Sequence, residues 1–363
     1  MFSIVSVGLA FNRKTLVLHS VITSMFVLLL CKPMFLFDVG FQLSYLAVFS
    51  IVIIQPKLSN LWKPKWRILE RFWQLFTVSF AAQIGILPIS LFYFHQFPGL
   101  FMLSNLVIIP FIGIILIGGI VMIALALLNI LPEFLARTYE FVIALMNEFI
   151  GWISLQESFL IKEISFSALL LIVSYLCVFF GMEFFDKRSY KSTAGFLLVL
   201  IAFQCSLLFE KNKNQSQHEL IIFHKSRKTI VGKNTNGNLD VFHNLDRMSI
   251  QKLSLIKNYK IGNAIKKVSY SDRIPNVMKL KNKFLIVVDS LGVYQIEKHK
   301  KVIILLRQSP KINLKRLIHQ LQPSQIIVDA SNYKSDVANW RLICNKLQIP
   351  FQYTGLNGAV ILK

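Results

Sequence analysis

Residues 108–130 read IIPFIGIILIGGIVMIALALLNI, an uncharged run of twenty-three residues. A bilayer core about 30 Å thick takes roughly 20 apolar residues in helical form, so this stretch is long enough to cross one. The whole chain leans the same way: 54% of its 363 residues are hydrophobic and 16% charged. An ordinary soluble domain is about 45–50% apolar and about 25% charged. Yet the formal net charge is +22, so apolar and basic character are segregated. Residues 1–210 hold 13 Lys plus Arg against 10 Asp plus Glu, and residues 211–363 hold 27 against 8, or +3 and +19. The break falls at Glu210, where KNKNQSQHEL begins. The expected organisation is a transmembrane domain over 1–210, a linker over 211–218 and a basic soluble α/β domain over 219–363.

Working outward, further spans are expected at about Thr15–Cys31, Val39–Gln55, Phe72–Phe94, Thr138–Ser158, Phe166–Phe185 and Thr193–Phe209. Met1–Asn12 reads as the end of an eighth, so the chain is expected to be N-terminally incomplete. A broken or re-entrant helix is expected around Leu100–Pro110, and Pro88 is expected to interrupt its helix. Alternating the loops puts Arg13, Lys14, Lys57, Lys63, Lys65, Arg67, Arg71, Arg137, Lys187, Arg188 and Lys191 on one side and only Lys32 and Lys162 on the other. The positive-inside rule makes the first side cytoplasmic and sends the C-terminal domain to the outer, periplasmic face of the inner membrane. Thr138–Ser158 carries Glu140, Glu148 and Glu157, which also suits an amphipathic surface helix, but the basic loop at Lys187 favours a span.

Polar side chains at membrane depth are expensive, so they mark the places to look for function. In DVGFQLSYLAVFSIV, residues 38–52, Asp38, Gln42 and Tyr45 share a helical face with Ser44 beside it. In SFAAQIGILPISLFYFHQF, residues 79–97, Gln83 shares a face with Ser79; Ser104, Asn105 and Pro110 follow. Taken singly, such residues are often interhelical glue. Asp38 reads as a helix N-cap.

Together, DVGFQLSYLAVFSI, AAQIGILPISLFYFHQFPG and LSNLVIIPFIG resemble the central membrane region of the ComEC-type competence proteins, over about residues 1–185. The resemblance implies a channel for single-stranded DNA during natural transformation, working with other competence-machinery proteins; a homo-oligomer is compatible with it. It also implies an N-terminal OB-like domain and further spans ahead of the matching region. Gln42, Ser44, Gln83 and Asn105 suit a channel lining, because neutral amides and hydroxyls donate to phosphate without trapping it.

In the basic domain, LIIFH, TIV and LDVFH read as antiparallel strands, with NTNGN supplying a turn. FLIVVDS, VIILLRQ and QIIVDAS read as buried strands, Leu314–Leu321 and Val337–Leu347 as helices, and Ala359–Leu362 as a final strand. The order resembles the last part of a metallo-β-lactamase fold, which the competence family often carries. An HxHxDH cluster is missing, and His218, His224, His243, His299 and His319 are scattered. The expectation is a degenerate domain with no catalytic residue, metal or cofactor, in which Asp289 and Asp329 cap strand ends. Lys225, Arg227, Lys228, then Lys279, Lys281, Lys283, and Lys298, Lys300, Lys301 are candidates for DNA phosphates, with anionic headgroups of the lipid bilayer as the competing partner. Trp62 and Trp66 read as interfacial anchors. The alternatives are a membrane-anchored hydrolase or nuclease and a small-solute transporter; paired intramembrane charges and inverted repeats, which a transporter would favour, are not evident.

Overall fold

A computed structural model describes residues 17–246, 249–250, 253–293 and 301–363. Met1–Asn12 thus lies outside the described residues. The chain divides into two compact units, Met1–Ser206 and Leu207–Lys363.

The first unit is helical: α1 (Val17–Cys31), α2 (Val39–Ser59), α3 (Arg67–Phe94), α4 (Phe101–Leu127), α5 (Glu133–Leu155), α6 (Ala168–Lys187) and the start of α7 (Tyr190–Gln215). Five of these, α2, α3, α4, α6 and α7, are long and apolar enough to cross a membrane. This is the architecture of a polytopic helical membrane protein. The centre is the antiparallel α2–α3 pair. Gly85 on α3 sits so close to α2 that a Cβ there would lie 1.8 Å from Ser50 Oγ and 2.9 Å from the Leu46 carbonyl oxygen. From α6, Tyr175 Oη donates to the Gly85 carbonyl at 3.0 Å, and from α1, Ser24 Oγ lies 3.0 Å from Tyr45 Oη in a buried hydrogen bond.

Two expectations about prolines need correction. Pro110 lies inside a continuous α4 that starts at Phe101, and Pro88 lies inside a continuous α3. A proline removes one backbone hydrogen bond, and neighbouring helices and hydroxyls absorb that loss at membrane depth.

Helix α5 is too charged to count as a span by composition, but a small ladder fixes where it ends. Strands β1 (Phe97–Pro98) and β2 (Leu160–Ile161) pair antiparallel, Gly99 N donates to the Phe159 carbonyl at 2.8 Å, and Ile164 N donates to the His95 carbonyl at 2.9 Å. The chain therefore leaves the end of α3, runs along α4, turns, and returns along α5 to the level it left. At 1.5 Å per residue α4 covers about 40 Å and α5 about 34 Å. Tyr139 Oη of α5 donates to the Ile115 carbonyl of α4 at 2.9 Å, which locks the antiparallel pair.

Residues 211–215, expected in a linker, continue α7 to Gln215. An established helix gains one hydrogen bond per added residue, and Lys and Gln are good helix formers. Ser216 and Gln217 separate α7 from the next strand.

The second unit holds two five-stranded sheets. One has the order β12-β3-β4-β5-β6, from β3 (His218–Lys225), β4 (Lys228–Thr235), β5 (Asn238–His243), β6 (Lys267–Ser271) and β12 (Val360–Leu362). The other has the order β11-β10-β9-β8-β7, from β7 (Val277–Leu280), β8 (Lys283–Val288), β9 (Val302–Leu306), β10 (Gln325–Val328) and β11 (Phe351–Tyr353). Alternation along the strands builds three cores. Leu220, Ile222 and Val231 face Leu285, Val287, Ile303 and Leu305 between the sheets. Ile221, Phe223 and Ile230 face outward onto Ile250 and helix α8 (Ser254–Gly262). Ile286, Val288 and Ile304 face helices α9 (Leu314–Leu321) and α10 (Lys334–Lys346). The layers run α/β/β/α, and strands apolar on both faces are what a sheet buried on both sides requires.

Replacing Gly85 with Val should separate α2 from α3, since the Leu46 carbonyl is backbone and cannot yield. The expected outcome is loss of protease-resistant folded protein from the membrane, whereas Ile112→Val, on the exposed face of α4, should leave it unchanged.

Candidate functional site

Two of the three quoted stretches meet along the α2–α3 seam, and the third opens α4. Asp38 caps α2 by accepting from Phe41 N at 2.8 Å, and Gly40 follows because a Cβ there would stand 3.1 Å from the same Asp38 oxygen. One turn on, Gln42 donates through Nε2 to the Leu36 carbonyl at 2.7 Å, while its Oε1 is buried without a hydrogen-bond partner. Ser79 Oγ on α3 is likewise buried without one. Farther along, Gln55 Nε2 donates to Gln74 Oε1 at 2.7 Å across the same pair. Buried orphan atoms in an apolar bundle cost free energy, and they are where water or a polar solute gains most.

The residues picked from sequence do not form one ring. Gln83 is partly buried near the Gly85 crossing, and Gln42 lies eight residues before Ser50 on α2, so the two amides stand roughly 12 Å or more apart along the axis. Ser44 is exposed beside the buried Tyr45. Asn105 is partly buried and Pro110 exposed, both on α4.

Sequence reading missed a second polar spot at the opposite end of α2. Lys57 pairs with Asp186 of α6, beside a pocket of about 520 Å³ whose walls include Asn60, Phe80, Cys177 and Arg188. The partners are far apart in sequence, and each reads there as an ordinary loop charge.

In the C-terminal domain the basic candidates separate. Lys225, Arg227 and Lys228 form the β3–β4 hairpin, where Arg227 N donates to the Ala330 carbonyl at 2.9 Å. Lys281 and Lys283 form the β7–β8 turn at the other end of the sandwich, with Lys279 just behind. Lys283 Nζ there donates to Lys363 O at 3.0 Å, and Lys301 precedes β9. Lys298 and Lys300 lie outside the described residues. The seven described residues are thus not one continuous patch, because neighbouring residues at hairpin turns belong to whichever end the turn occupies.

Asp289 Oδ1 accepts from Leu291 N at 3.1 Å, a cap on a strand end. Asp329 is fully buried, and its carboxylate accepts from Thr229 Oγ1, Ser331 Oγ, Ser331 N and Asn332 Nδ2. Asn332 Nδ2 also donates to the Leu306 carbonyl at 2.8 Å, so Asp329 joins β4, β9 and β10 at one edge of the sandwich. Among the described residues, no group of three His, Cys, Asp or Glu side chains is placed to hold a metal ion.

Comparison with known proteins matches this architecture to a family. Residues 1–188 match the model of the competence protein family and residues 220–363 that of the ComEC C-terminal domain. The chain belongs to the competence protein family, of the ComEC type. Over 188 residues it is 28% identical to ComE operon protein 3 of Bacillus subtilis (strain 168), a stretch that is 51% of this chain and 23% of that protein. The chain thus spans about a quarter of the length of that relative. No solved structure matches it.

Burial pushes the Asp329 carboxyl above the ordinary carboxylate range, against the pull of Ser331 and Thr229. The folded chain therefore binds this proton more tightly than the unfolded chain. The associated stability is complete below about pH 4 and is lost as pH rises through the raised value. In the full chain, the unfolding midpoint should fall more steeply above pH 4 than in Asp329→Asn; parallel curves would show that Asp329 is not the coupled group.

Proposed function

We propose that this chain contributes to the path by which single-stranded DNA crosses the bacterial inner membrane during natural transformation, working with other proteins of the competence machinery. The observation that carries the reading is a coincidence in one stretch. The competence match over residues 1–188 contains the α2–α3 seam, where Gln42, Ser50, Gln55, Gln74, Ser79 and Gln83 bring neutral donors into an otherwise apolar bundle. Such groups can solvate a phosphate backbone without holding it, as a conducting path for a polyanion requires.

The C-terminal domain is read as non-enzymatic, with an electrostatic rather than a chemical role. Its charge of +19 over residues 211–363 supports contact with phosphates, from either end of the sandwich. The α/β/β/α layer order supports a degenerate relative of the metallo-β-lactamase fold, and the scattered histidines support the absence of its two-metal chemistry.

In an intact family member carrying these residues, Gln42→Leu and Gln83→Leu should each reduce uptake of labelled DNA at least tenfold with an unchanged amount of protein in the membrane. Loss of uptake only in step with loss of protein would make both amides interhelical glue and remove the conducting role.

The eleven-to-two division of Lys and Arg supports a cytoplasmic side for the connection between α2 and α3 and an outer side for the C-terminal domain. Alkaline phosphatase, which is active only beyond the inner membrane, should be active when fused after Lys363 and inactive when fused after Lys65. The reverse pattern would invert the topology.

A further inference from the structure

Helix α5 has three faces. Tyr139, Ile143, Met146 and Ile150 pack toward α4, where they line a groove of about 480 Å³. Phe134, Phe141, Leu145 and Trp152 form an exposed apolar face. Between these faces runs a third line, Glu133, Arg137, Glu140, Ala144, Asn147 and Glu148, at spacings of four and three that keep one side of a helix. Every residue of it is exposed in the bundle, and its one internal ion pair is the equally exposed Arg137 with Glu133. Glu140, Ala144 and Asn147 also border an open groove of about 470 Å³ shared with Met122 of α4.

The tie at β1–β2 gives this line its meaning. A surface helix keeps its charges in water, but α5 is paired along α4 by the Tyr139 bond and ends at the level of His95, so its middle lies at the depth of the apolar α4. Charged groups there do not face hydrocarbon; they face protein or water. The apolar face, with Phe141 and Trp152, is the side suited to lipid. We propose that the polar line of α5 forms one wall of a water-filled passage through the membrane part of the protein. This deepens the reading of the chain as part of a DNA path and rests on it. The wall carries three carboxylates and one guanidinium, so it repels a polyanion and bounds the passage rather than binding its cargo.

The test uses the full chain in bacterial membranes, with Cys31, Cys177, Cys205 and Cys344 changed to alanine and one cysteine restored at a time. Ala144→Cys and Asn147→Cys probe the line, and Phe141→Cys and Leu145→Cys probe the apolar face at the same depth. A membrane-impermeant maleimide should react at least tenfold faster at the first pair than at the second, and all four should react after denaturation, which controls for the amount of protein. Equal, rapid labelling of all four, or a fluorophore at 144 or 147 quenched by a headgroup-level and not by a mid-bilayer spin probe, would mean that α5 lies outside the bilayer core. No labelling at 144 and 147 in the folded protein would mean that protein or lipid seals the line. Either result overturns the passage. Labelling reads water and not DNA, so a wet wall in a protein that fails the uptake test would refute the conducting role alone.

Discussion

The contact of Gly85 with Ser50 and the Leu46 carbonyl sets the spacing of the membrane part. In hydrocarbon no hydrophobic force draws helices together, so close backbone approach and shared hydrogen bonds must do it. Gly85 supplies both. Its missing Cβ lets α2 and α3 touch, and its carbonyl takes the Tyr175 hydroxyl from α6. The Ser24–Tyr45 bond then adds α1 to the same seam. Polar groups elsewhere along α2 and α3 are held in register by this crossing.

The C-terminal domain rests on a different constraint. Each strand of its central pairs is buried on both faces, so alternate residues serve alternate cores, and insertion of one residue would exchange the two sets. Charge is pushed off the inward faces, onto turns, exposed strand positions and the outer sides of the helices. That is why a domain with a surplus of lysine can still close a dry interior.

Much of this was legible in the sequence. Runs such as IIPFIGIILIGGIV announce a crossing helix by length and apolarity, and the helix expected over Leu314–Leu321 matches α9 to the residue, with Asn313 capping it in the structure. Asp38 likewise declared itself as a cap just before Gly40. Hidden features were those that depend on distant partners. Nothing in the sequence near Lys57 points to Asp186, and a proline cannot say whether neighbouring helices will tolerate it, so Pro88 and Pro110 suggested breaks where the helices continue. The short strands β6 and β7 also escaped notice, because edge strands with alternating burial carry little apolar signal.

The pairing of Phe97–Pro98 with Leu160–Ile161 also bears on how the protein is made. It joins residues separated by two whole helices, so it cannot form until both have been synthesised. The apolar α4 emerges from the ribosome first and is able to enter lipid alone, whereas α5, with its charges, gains a partner only by entering against α4. Insertion of the two as a hairpin, followed by closure of the ladder, is the order that avoids stranding α5 at the surface. The small ladder is thus the clasp that closes this hairpin at its open end.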